Sequence, residues 1–203
     1  MDISDWDKVF ECYQQQYSRI FNHLYPAKNS TGFPERNLSV NFIKGYENAR
    51  ASAREEIISW YEFQFGERNN FHVDAILWNI TLGELYLIES KRFSNPSIKI
   101  PEIKADVERI HALAKELMDE HGTSKERINM DSVSKVYGVI LADAWNESRT
   151  KAEIIESYRS NCFAAKYLWS APSIKLSYNV QEFTHTATLQ SYKLLSMFWE
   201  ITI

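Results

Sequence analysis

Three ionisable side chains stand on a stretch that otherwise reads as strand: residues 71–93, FHVDAILWNITLGELYLIESKRF, rich in Val, Ile, Leu, Tyr and Trp. They are Asp74, Glu89 and Lys91. A buried carboxylate or ammonium is costly unless it is paired or bound to a metal. A sheet that keeps all three points to chemistry. Side chains alternate across a strand, so Glu89 and Lys91 share one face, and so do His72 and Asp74. With Asn79 and Glu84 closing the loop ITLG, antiparallel register sets Asp74 opposite Glu89. Opposed residues have Cβ atoms roughly 4.5–5.5 Å apart, where like charges repel. A divalent cation between the carboxylates removes that repulsion.

The same reasoning extends to the preceding run. With Phe65 and Phe71 closing GERNN, Glu62 falls opposite Asp74. One face then holds Glu62, Asp74, Glu89 and Lys91; the other holds Tyr61, Phe63, Phe65, Val73, Ala75, Leu77, Tyr86 and Ile88, ready to pack on a helix. Paired carboxylates suit a hard cation such as Mg²⁺, with Mn²⁺ as a substitute, which keeps waters and contacts a substrate phosphate. Such an ion acidifies a bound water and stabilises charge on a phosphoryl group in transfer. Lys91, one strand step further on, is placed to orient the attacking water or neutralise that charge.

The elements that must position these residues follow from periodicity. Residues 5–24 carry Trp6, Val9, Phe10, Tyr13, Tyr17, Ile20, Phe21 and Leu24 at helical spacing, and 25–37 (YPAKNSTGFPERN) read as a loop. These 37 residues are expected to form an N-terminal helical extension to a main domain over 38–203. That domain opens with a helix over 38–58, then strands over 60–65, 72–79 and 85–90. A helix opened by Pro101 runs to His121 and is capped by Gly122. The apolar run KVYGVILADAW (135–145) reads as a strand covered on both faces. A helix over 147–161 and a strand over 173–180 follow, and the final TLQSYKLLSMFWEITI is helix-like at first and ambiguous at its end. The expected fold is an α/β mixed sheet with helices on its faces.

Asp74 followed by Glu89-Ser90-Lys91, at the ends of consecutive hairpin strands, resembles the PD-(D/E)xK nuclease superfamily. The order helix, three-stranded meander, helix, strand over 38–145 is similar to that family's restriction-endonuclease-like core. The resemblance implies Mg²⁺-dependent phosphodiester hydrolysis, usually in DNA and sometimes in RNA. It implies Asp74 and Glu89 as metal ligands, the Ser90 carbonyl as a further ligand, and Lys91 as the catalytic lysine. Val73 stands where the motif has proline. Many members add a glutamate from the helix before the meander. Glu55 and Glu56 both fall near that helix's C-terminal end, where a carboxylate opposes the helix dipole. Glu56 lies nearer the buried face by its spacing from Ala49, Ala53 and Trp60, and is preferred; Glu62 is the rival.

Bulk properties bound the partners. A chain of 203 residues with net charge −4 is not coated in basic surface, so nucleic acid must meet a local patch. Residues 91–104 hold Lys91, Arg92, Lys99 and Lys104 against Glu102 alone, and Arg92, Lys99 and Lys104 are the candidate phosphate contacts. Residues 161–179 join Lys166 and Lys175 to Phe163, Tyr167, Trp169 and Tyr178, either an aromatic core edge or a stacking surface. No apolar run is long enough to span a membrane, and the acidic N-terminus is unlike a signal peptide. Isolated Cys12 and Cys162 make a reducing cytoplasm the expectation. The histidines and cysteines show no zinc spacing, and Asp143 reads as a turn or cap residue. The N-terminal aromatic stripe is core or, alternatively, the seam of a homodimer. The bland alternative for Asp74, Glu89 and Lys91 is an ion-pair cluster, and for the chain a non-catalytic nucleic-acid-binding or protein-interaction module.

Overall fold

The computed structural model describes residues 3–23, 34–65, 72–119, 128–145, 148–168, 176–184 and 191–201. In chain order these form α1 (Ile3–His23), α2 (Glu35–Arg50), β1 (Ile57–Gln64), β2 (His72–Asn79), β3 (Glu84–Arg92), α3 (Pro96–Met118), β4 (Lys135–Trp145), α4 (Arg149–Arg159), β5 (Ser177–Thr184) and β6 (Ser191–Ile201). The strands make one six-stranded sheet in the order β1-β2-β3-β4-β6-β5. β3 and β4 are parallel and joined by α3, while every other neighbouring pair is antiparallel. The chain is therefore α/β with a mixed sheet. No described helix is long and apolar enough to cross a membrane. Gly122, Trp169, Lys175, the loop GERNN and residues 24–33 lie outside the described residues, as do the two ends of the chain.

Each sheet face buries its own layer. On one side α1 and α2 bring Trp6, Phe10, Tyr13, Tyr17, Phe42 and Tyr46 against Ala75, Leu77, Tyr86, Ile88, Tyr137 and Val139. Trp6 stacks on Phe198 of β6 at 4.3 Å between ring centroids, and the Gln181 side chain of β5 donates to the Phe10 carbonyl. Each such fully buried side chain contributes roughly 1.5–3 kcal/mol. The expected N-terminal extension is thus a structural layer of the same core, and its aromatic stripe is covered within the chain rather than free for a dimer seam. On the other side α3 and α4 cover Ile76, Leu85, Leu87, Val136, Ile140, Leu195 and Trp199.

Several boundaries differ from the sequence reading, each for a local reason. α2 ends at Arg50, a short 3-10 turn follows, and Arg54 takes a left-handed φ of 54°, so the chain has left the helix before Glu55. α3 starts five residues before Pro101, because Asn95 caps it through Oδ1 to the Ser97 N–H and Pro96 needs no donor at the first turn. The C-terminal segment is strand β6, not helix: Tyr192, Leu194, Leu195, Met197 and Trp199 are buried against both layers of the core, and sheet burial overrides the helix-like start.

Candidate functional site

The hairpin register is the expected one. β2 and β3 pair Asn79 with Glu84 through Ala75 with Ile88, and β1 and β2 pair Ile57 with Asn79 through Gln64 with His72. Interpolated across the gap in the β1–β2 ladder and extended by one step in the β2–β3 ladder, these registers set Asp74 between Glu62 and Glu89. Yet Asp74 is in neither ladder's set of partners, and Glu62 has a left-handed φ of 54°. The strands turn over here. Tyr61 and Ala75 pack toward α1 and α2, whereas Phe63, Phe65 and Val73 join the α3 side. The expectation that these five share one face is therefore corrected; on β1 the switch falls at Glu62, whose positive φ breaks the alternation, and on β2 it falls at Asp74, where the pairing to both neighbours lapses. Where the β2–β3 ladder stops, the Asp74 carboxylate replaces it: Oδ2 accepts the Ser90 N–H at 2.7 Å. The Ser90 hydroxyl meets Ser39 of α2 at 2.6 Å on the opposite side of the sheet.

On the α3 side, Glu89 is 1% exposed. Arg109 Nη2 reaches Glu89 Oε1 at 2.5 Å and Asp106 Oδ1 at 2.6 Å. Lys91 Nζ lies 2.9 Å from Asp106 Oδ2 and 3.9 Å from Glu89 Oε2. Asp106 and Arg109, one helical turn apart on α3, complete a cluster that sequence reasoning missed. The only signal was their spacing in the helix that follows the motif, and a buried Asp at that position is no different in sequence from a solvated one.

Burial sets the electrostatics. It pushes the Glu89 carboxyl up to about 8, reinforced by Asp74 and Asp106 and opposed by Arg109. Asp74 is raised as well, first by burial, against the Ser90 N–H and Lys91 and with Glu62 and Asp106. Lys91 loses by burial, but Asp106, Glu89 and Asp74 outweigh it and hold its ammonium above the ordinary range. Three carboxylates thus face two cations. In EDTA, Asp74→Asn is expected to leave stability unchanged or raise it by up to about 1 kcal/mol. An amide oxygen still accepts the Ser90 N–H, and the neutral group suits the buried position. Urea denaturation checks this; a clear loss would make Asp74 a structural member of an ion-pair network.

The accessory acids separate. Glu56 is not on a helix and is exposed beside the β2–β3 turn, where its N–H meets Thr81 Oγ1 at 2.9 Å. β1 pairs Ile57 with Asn79, so Glu56 sits at the far end of the strand from Asp74. The preference for Glu56 as a ligand is corrected: helical spacing does not hold beyond Arg50. Glu55, expected toward solvent, is instead half-buried, held between Asn79 Nδ2 (2.5 Å) and Arg50 (3.5 Å). Glu62 alone of the three has a charge that reaches Asp74.

The basic patch is partly consumed. Lys91 turns into the cluster, and Lys99 is held by Glu102 at 2.8 Å and Glu35 at 3.5 Å. The Arg92 backbone N–H donates to Glu35 Oε1 at 2.9 Å, a contact that does not engage its guanidinium. Lys104 is exposed and, two residues from Asp106, faces away from the cluster. Phe163 and Tyr178 are packing residues around Tyr158, and Lys166 covers the Tyr167 ring at 5.0 Å. Within the described residues, the 161–179 patch is a core edge.

Asp143 is neither turn nor cap. It is buried in β4, and Oδ2 accepts the Tyr192 hydroxyl at 2.7 Å. Burial pushes it up to about 7; Tyr192, Arg92 and Lys151 pull it down and Glu35 adds to the rise. The unfolded chain ionises this group in the ordinary carboxylate range, so it contributes stability below that range that is lost as pH rises toward 7. Asp143→Asn, which still accepts from Tyr192, is expected to stabilise the protein at pH 8 by at least ~1.4 kcal/mol, the free energy of a tenfold change in proton affinity. Denaturation at pH 4 and pH 8 would show it; an equal effect at both would contradict it.

Hard oxygen donors with excess negative charge fit a divalent cation. As the side chains stand, no three Asp, Glu, His or Cys among the described residues are gathered to hold one, and a guanidinium nitrogen contacts both Glu89 and Asp106. The chain matches no protein-family model, no curated protein and no solved structure.

Proposed function

We propose that this chain is a divalent-metal-dependent nuclease with a restriction-endonuclease-like core, acting on phosphodiester bonds, most simply in DNA. The observation that carries the reading is the placement of half-buried Asp74, bonded to the Ser90 N–H, next to buried Glu89 at the point where β2 and β3 part, close enough that the Asp74 charge raises the proton affinity of Glu89, with Lys91 one strand step beyond. Asp74 and Glu89 would hold Mg²⁺ or Mn²⁺, with the Ser90 carbonyl as a further donor. When bound, the ion would supply an acidified water and charge stabilisation at phosphorus. Lys91, held by Asp106, would orient the nucleophile or meet the charge that develops on the phosphate oxygens. Of the candidate phosphate contacts, Arg92 at the end of β3 lies nearest this motif; Lys99 would have to leave Glu102 and Glu35, and Lys104 would meet a phosphate further along α3.

One observation favours a different reading. Arg109 and Lys91 already pair the acids, as they would in a non-catalytic nucleic-acid-binding module that keeps the fold. Thermal melting separates the two. An ion at about 100 times its Kd stabilises a real site by about 2.7 kcal/mol. Mn²⁺ is expected to raise the melting temperature of the wild type and not that of Asp74→Ala. No rise in the wild type would leave the binding-module reading standing.

A further inference from the structure

Arg109 occupies the position of a cation. A single nitrogen, Nη2, touches both Glu89 Oε1 (2.5 Å) and Asp106 Oδ1 (2.6 Å). The rest of the guanidinium is poorly used: Nε is buried with no hydrogen-bond partner among the described residues. A guanidinium fork binds a carboxylate or phosphate best through two parallel bonds, and here it makes only one contact to each acid. Its side chain is 23% exposed against 1% for Glu89, so it has a path to solvent that the glutamate lacks.

Charge decides what happens when a divalent ion arrives. Glu89 and Asp106 are already paired by Arg109 and Lys91, so a divalent ion would bring two further positive charges against a guanidinium that holds both acids. An ion and the guanidinium would also compete for the Glu89 carboxylate at close range, where cations repel strongly. We propose that Arg109 is an internal counter-cation that must leave Glu89 before a divalent ion enters, and that its freed fork then binds a phosphate of the nucleic acid. This rests on the metal-site reading above. It makes metal and substrate binding cooperative: the ion releases the arginine that the phosphate then captures.

The test uses Mn²⁺ alone in a calorimetric titration of wild type and Arg109→Gln. Removing the competitor is expected to tighten Mn²⁺ binding about tenfold, within the usual range of site coupling. Equal or weaker binding by the variant overturns the proposal while leaving the metal site intact. Absence of binding by both proteins sinks the metal-site reading, and the proposal with it. The second arm measures a short fluorescent DNA duplex by anisotropy in Ca²⁺ and in EDTA. The gain in affinity with Ca²⁺ is expected to be several-fold larger in wild type, and an equal gain in both proteins overturns the phosphate role. Should Arg109→Gln not fold, Arg109→Met serves in both arms. Its apolar side chain carries neither the charge nor the fork, so tighter Mn²⁺ binding with a smaller duplex gain is again expected, and wild-type behaviour overturns the proposal.

Discussion

Asp74→Ala is expected to abolish both divalent-ion binding and phosphodiester cleavage, whereas Lys91→Ala should sharply lower only the second. The difference follows from what each group can do. Asp74 offers carboxylate oxygens at the break in the β2–β3 ladder, and deleting them removes an inner-sphere ligand. An ammonium cannot coordinate a cation. Lys91 contributes a preorganised positive charge, held 2.9 Å from Asp106, and removing one such group commonly costs roughly 10²–10³ in turnover. Its loss also leaves the acids with less positive charge around them, so Mn²⁺ affinity in Lys91→Ala should be unchanged or higher. Mn²⁺ calorimetry beside a cleavage assay checks the pair. Loss of ion binding in Lys91→Ala would show that the lysine shapes the site rather than serving its chemistry.

The second large effect lies in the sheet that carries the site. Gly138 of β4 pairs with Leu87 of β3 on one side and with Trp199 of β6 on the other. A Cβ at Gly138 would run into the Trp199 indole ring, which is fully buried and has no space to give. Gly138→Val is therefore expected to destabilise the protein by about 3 kcal/mol or more, at the upper end for overpacked cores. Urea denaturation measures it. Gly138→Val with Trp199→Leu should recover part of the loss, because the smaller side chain vacates the volume. A Gly138→Val protein of wild-type stability would mean that β4 and β6 do not pack as described.

How far the sequence carried is clearest in the hairpin. Alternation and loop length were enough to place Asp74 between Glu62 and Glu89, since register depends on local counting alone. The same counting failed at Phe63, Phe65 and Val73, because it assumes an unbroken pleat and Glu62 breaks it. Glu56 failed for a related reason. Helical spacing was carried past Arg50, where the chain had already turned toward β1. Asp106 and Arg109 could not be found at all, since their role comes from how α3 lies over β3, a tertiary fact with no local signature. β6 was ambiguous because a strand buried on both faces has no alternation to distinguish it from a buried helix.

The direct test of a metal-dependent nuclease is cleavage itself, measured with wild-type protein on a panel of single- and double-stranded DNA and RNA, with Mg²⁺, Mn²⁺ or EDTA. Asp74→Ala, purified identically, guards against a contaminating nuclease. The expected result is cleavage of at least one substrate that requires the divalent ion and disappears in Asp74→Ala. Intact substrates across the panel, from a folded protein in saturating Mg²⁺ and Mn²⁺, would contradict it.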